Sequence, residues 1–187
     1  MYLQYSREIR RFLSGFGGDP ARYLASVSDD SGTFSAARVP DTMSLALSPT
    51  YAYCVGVTGL MGLTNLYGAS TVMSARKKYG VKFPKLYADG EGEQAMAFNC
   101  CQRAHQNTLE GLPITAVNML ACGLVYPVAS AALGALWCLG RVIYIFGYSK
   151  NGPDGRMAGA LISHLGDFPL LLLACWIGGK AALQQLQ

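Results

Sequence analysis

Charge is what this 187-residue chain most lacks: 14% of its residues are Asp, Glu, Lys or Arg, while 51% are hydrophobic. Soluble domains carry about 25% charged residues, so the deficit, with a mean hydropathy of +0.24, points to lipid as the solvent. The net charge of +4 is modest, and no basic cluster interleaved with aromatics marks a nucleic-acid surface. Despite 22 glycines, none of the glycine runs forms a phosphate-binding loop. The six cysteines (Cys54, Cys100, Cys101, Cys122, Cys138 and Cys175) lack the paired CxxC spacing of a zinc site, and no metal is expected. Five of them lie in or beside apolar runs, where thiols are buried and reduced; Cys100 and Cys101 are the pair to watch for redox behaviour. Neither paired repeats nor broken helices suggest a transporter.

What is present divides in two. Residues 1–48 hold Arg7, Arg10, Arg11, Arg22 and Arg38 against Glu8, Asp19, Asp29, Asp30 and Asp41. Three readings of this arm stand side by side: an amphipathic helix on a membrane surface, a targeting sequence, or a solvated or partner-bound extension. No apolar core in it is long enough for a secretory signal. Residues 49–187 contain four apolar segments near the ~20 residues that cross a bilayer, placed at about 51–74, 95–126, 128–148 and 157–182. The fold class is therefore all-α, an integral membrane four-helix bundle with an N-terminal extension. Glycines within VGVTGLMGLTNLYG are expected to permit close helix contacts.

Arg76, Lys77, Lys78, Lys82 and Lys85 follow the first segment, and Lys150 and Arg156 precede the fourth. An even number of spans puts both basic loops on one side, which the basic-loop bias makes cytoplasmic or its equivalent.

The stretch FNCCQRAHQNTLE (98–110) puts charge where lipid should be. Arg103, Asn107 and Glu110 are spaced i, i+4 and i+7, so they stack on one helix face. Ionisable groups at membrane depth are costly and usually face a bundle interior, where they serve a site. Arg141, Tyr144 and Tyr148 form a second such stripe near the same end, with Arg76 and Arg156 at the same level. Several arginines around one carboxylate suit a ligand carrying more negative than positive charge. An Arg103–Glu110 pair serving only packing is the alternative.

FNCCQRAHQNTLE, SARKKYGVKFPKLY (74–87) and GRVIYIFGY (140–148) together resemble the MAPEG family of membrane glutathione-handling proteins, most nearly the type-3 microsomal glutathione transferases. The resemblance covers about residues 50–180. It implies a homotrimer in a lipid membrane, that of the endoplasmic reticulum, with glutathione as co-substrate for transferase or peroxidase chemistry; the Arg-bearing N-terminus leaves a mitochondrial membrane open. It further implies that Arg76, Arg103, His105, Asn107, Glu110, Tyr144 and Tyr148 bind glutathione. Arg156 is then the catalytic residue that stabilises the thiolate, with Lys150 as its substitute. Two features depart from the family pattern. The family's tyrosine before the proline is missing from Glu110-Gly111-Leu112-Pro113, and helix four carries His164 and Asp167 within SHLGDFP. With the arm, these support a second expectation: an accessory subunit of a larger membrane complex, such as a respiratory one, contacting partners through the arm and helix four.

Overall fold

The computed structural model describes residues 48–186, so the expected N-terminal arm lies outside the described residues. After a single 3-10 turn at Pro49–Tyr51 come four helices: α1 (Ala52–Tyr79), α2 (Glu93–Gly123), α3 (Pro127–Gly155) and α4 (Met157–Gln185). No strand occurs among the described residues. At 28 to 31 residues each, the helices are about 42 to 46 Å long, more than the ~30 Å of a hydrocarbon core. Both α3 and α4 are also apolar enough to cross a membrane by composition alone. In α1 and α2 polar residues dilute that signal, so length rather than hydropathy suits them to a span.

The helix ends follow local chemistry. The first segment, expected to stop near Ser74, runs on through Tyr79, because Arg76, Lys77 and Lys78 complement the negative end of the helix dipole. Gly80 ends it in the left-handed conformation (φ 69°), its N–H and that of Val81 both returning to the Arg76 carbonyl. Pro127, which has no N–H to lose, opens α3 after a three-residue turn. The expected loop SKNGPDG is mostly helical: α3 continues to Asn151, breaks at Gly152 (φ 70°, ψ −158°), and resumes as a short turn before α4.

Close packing joins α3 to α4. A Cβ on Gly140 would fall on the backbone of Ser163, and one on Gly159 on the backbone of Tyr144. Gly166 meets the backbone of Leu133 and Trp137 in the same way, so small residues let two helices touch main chain to main chain. The glycines of α1 behave differently from expectation. Only Gly68 is packed, against His105 and Ile145; Gly56, Gly59 and Gly62 meet nothing within 4 Å. The main core joins Met61, Met119, Cys122, Trp137, Cys138 and Leu170. A smaller cluster of Cys100, Ala104, Tyr144, Ile145 and Tyr148 lies toward the basic loops.

Several buried helix hydroxyls are satisfied within their own helices, as lipid favours, whereas those of Ser130 and Ser149 on α3 find no partner among the described residues. Thr64, Thr108, Thr115 and Ser163 each donate to the carbonyl four residues back, over 2.9 to 3.0 Å. Residues 80–92 are tied to both flanking helices. Arg76 donates to the Lys85 carbonyl at 2.8 Å, Asn99 brackets the Ala88 backbone with two bonds, and the Tyr87 hydroxyl donates to Gln106.

Substituting Gly140 or Gly159 by Ala is expected to cost about 1–3 kcal/mol through overpacking. Gly178→Ala, which faces open space, should gain up to about 1 kcal/mol. Thermal melts of the three variants in detergent check the contrast; equal shifts would contradict it.

Candidate functional site

The polar stripe of α2 is built as its spacing dictates. Arg103 donates to Glu110 through both terminal nitrogens, at 2.8 and 3.4 Å, and Asn107 donates to the same carboxylate at 3.4 Å. The Arg103 and Glu110 side chains stay 42% and 48% exposed, so the fork opens outward from the bundle while its geometry is held by the helix.

Asn107 also faces inward. Its side-chain oxygen accepts from Nη2 of Arg141 on α3 at 2.7 Å. Arg141 is 5% exposed and also donates to Thr108 Oγ1 from Nε (3.2 Å) and Nη2 (3.0 Å). Thr108 can serve as this adaptor because its one proton goes to the Ala104 carbonyl, leaving both lone pairs to accept. The rings of Tyr144 and Trp137 lie 4.3 and 5.8 Å from the guanidinium carbon, presenting negative faces to a charge that water does not reach.

From Tyr144 the line continues along α3. Tyr144 and Tyr148 meet edge to face, with centroids 5.7 Å apart. Arg156, at the α3–α4 junction, donates to the Tyr148 hydroxyl at 3.4 Å and lies 5.2 Å from its ring centre. Six of the eight residues singled out from the sequence (Arg103, Asn107, Glu110, Tyr144, Tyr148 and Arg156) thus fall on one string, with Arg141 at its middle.

The other two point elsewhere. Arg76 is engaged at the α1–α2 loop, its guanidinium 4.5 Å from the Phe83 ring and 5.3 Å from that of Phe98. His105 lies two residues beyond Arg103, about 200° around the helix, and packs on Gly68 of α1. Its Nδ1 is buried without a partner. Lys150 is exposed on the last full turns of α3.

Thr108 and Arg141 are what the sequence-based site residues omit. Arg141 was visible as the first member of the i, i+3, i+7 stripe, but a threonine inside an amphipathic helix gives no signal of serving a cation on another helix. His164 and Asp167 pair on the outer side of α4, Nδ1 to Oδ1 at 3.1 Å, with His164 stacked on Phe168 at 4.7 Å.

Removing the Arg141 guanidinium leaves Asn107 Oδ1 without its buried donor, at a cost of about 1–3 kcal/mol. Arg141→Met should therefore lower the melting temperature, and Arg141→Lys, which keeps the charge but not the fork, should fall between the two. A variant as stable as the native chain would show that the string carries no such energy.

Comparison with known proteins meets this geometry from outside. An uncharacterized protein, sll1147, of Synechocystis sp. is 30% identical over 117 residues, which are 62% of this chain and 80% of that protein. The model of the MAPEG family matches residues 54–176, from the first turn of α1 to the later turns of α4 and across the whole string. Four helices, apolar spans and a match over more than half its length make this chain a member of the MAPEG family.

Proposed function

We propose that this chain is a membrane glutathione transferase or peroxidase, nearest in kind to the type-3 microsomal enzymes and working as a homotrimer. The observation that carries the reading is the string from Arg103 to Arg156, which aligns three arginines, an amide, a carboxylate and two tyrosines at one end of the bundle.

Glutathione fits that donor set. It has two carboxylates, one ammonium and one thiol. Arg103 spends two of its five N–H donors on Glu110 and keeps three for a ligand carboxylate. The exposed Glu110 oxygens can take the ammonium. Arg141 is buried inside the bundle, bonded through Nε and Nη2, and acts through Asn107, so it positions the stripe rather than touching the ligand. Arg156 can lower the free energy of a thiolate: each pKa unit below an ordinary thiol's ~8.5 corresponds to roughly 1.4 kcal/mol. The thiolate then displaces a leaving group from, or adds to, a lipophilic electrophile. With a lipid hydroperoxide it takes the outer oxygen, releasing an alcohol, and a second glutathione thiol completes the disulfide with loss of water.

Calorimetry with the protein in detergent tests binding. Arg103→Ala and Glu110→Gln should each weaken glutathione about tenfold or more, the worth of a charge-assisted contact, with melting temperature little changed. Arg156→Ala should leave binding within a few-fold but abolish the ultraviolet thiolate absorbance of the complex. Wild-type protein that gives no binding heat defeats the proposal.

One observation favours a second reading, an accessory subunit of a hetero-complex. The His164–Asp167 pair is ionisable, its imidazole is half exposed, and it stands on one of the two helices apolar enough to cross a membrane by composition. Lipid is a poor neighbour for such groups, and a protein partner is a better one. Native mass measurement separates the readings: three copies of this chain alone support the enzyme, and one copy among other chains supports the subunit.

A further inference from the structure

At the end of the bundle where α1 stops, a cavity of about 820 Å³ opens between α1, the start of α2 and the end of α3. Its floor is small and apolar, from Ala75, Ala97, Cys100 and Cys101, with Tyr148 on one side. Its rim carries four charges, Lys78, Lys150, Glu91 and Glu93. Ion pairs among the described residues join Lys85 to Asp89, Arg103 to Glu110 and His164 to Asp167. All four rim charges are thus without an ionic partner among the described residues. Lys78 instead lies 5.0 Å from the Tyr79 ring centre, on the same cavity wall.

A second chamber of about 340 Å³ adjoins the first. Thr71, Ser74, Ser149 and Lys150 line both, so the two form one groove between α1 and α3. The second chamber reaches three turns back from the mouth along α1 to Tyr67 and is flanked by Phe146, a residue of α3 that is more than half exposed.

Two cations and two anions around one mouth reject a ligand of single sign, since either sign meets two like charges. They match a head that carries both. The mouth lies at the basic end of α1, the end that the basic-loop bias puts at the headgroups, and the groove runs from it along α1 to Tyr67. We propose that this groove binds one zwitterionic phospholipid, its phosphate at Lys78 and Lys150, its ammonium at Glu91 and Glu93, and an acyl chain along Tyr67 and Phe146. Tyr148 lines the same cavity and takes the Arg156 hydrogen bond, so a chain held there passes beside the far end of the string. That the lipid is the second substrate rests on the glutathione reading. Its binding does not.

Electron spin resonance of the full chain in vesicles tests the site, using doxyl-labelled phosphatidylcholine, phosphatidylglycerol and stearic acid. Phosphatidylcholine should show about one more immobilised molecule per chain than the other two. Lys78→Glu, Glu93→Lys and the cavity-filling Ala97→Trp should each remove that excess, with melting temperatures confirming that the variants fold. Equal immobilisation of the three probes, or an excess surviving in all three variants, overturns the proposal. So does displacement of the lipid by glutathione, which would assign the cavity to the peptide instead. Absence of glutathione binding with the phosphatidylcholine excess intact counts against the enzyme reading alone.

Discussion

A guanidinium buried among apolar helices has to be solvated by the protein, and Arg141 imposes that requirement on this fold. An isolated charge in such a place is prohibitively costly unless hydrogen-bonded. Here the solvation comes from α2, through Asn107 and Thr108, and from two aromatic rings of α3 itself. The register of α2 against α3 is thereby fixed, because a shift of one residue would turn both acceptors away from the cation. The outward fork of Arg103 and Glu110 inherits its placement from that register through Asn107, which bonds in both directions.

The contact between α3 and α4 serves the same end by other means. Gly140, Gly159 and Gly166 bring the two main chains together, so the junction between these helices is short and Arg156 has little freedom in where it points. Tyr148 can then accept its hydrogen bond only because α3 remains helical past the tyrosine and breaks later, at Gly152. Membrane helices gain little from hydrophobic burial against one another, which is why glycine contacts and interhelical hydrogen bonds carry so much of the organisation here.

The neighbouring residues of one motif have different fates for a plain geometric reason. Arg103, Asn107 and Glu110 lie on the outward face, Ala104 and Thr108 on the face toward α3, and His105 against α1. A 100° step per residue distributes the motif over three surroundings. Likeness of sequence to a family motif cannot by itself separate them. Arg76 makes the same point from a loop: it matches a family position, yet its guanidinium is held by Lys85, Phe83 and Phe98.

The class of fold, the four helices of the described residues, the location of the basic end and the α2 stripe were legible along the chain. These follow from hydropathy, charge and helical period, which are local. Sequence alone put a loop at residues 149–155, which are mostly helical, and close contacts at the α1 glycines, of which only Gly68 is packed among the described residues; both outcomes depend on what lies opposite. Tertiary packing alone set Thr108 to serve Arg141, turned His105 to Gly68, and gathered four charges, unpaired among the described residues, around a cavity. Those relations join residues tens of positions apart, and a pattern along one helix carries no information about the face another helix presents to it.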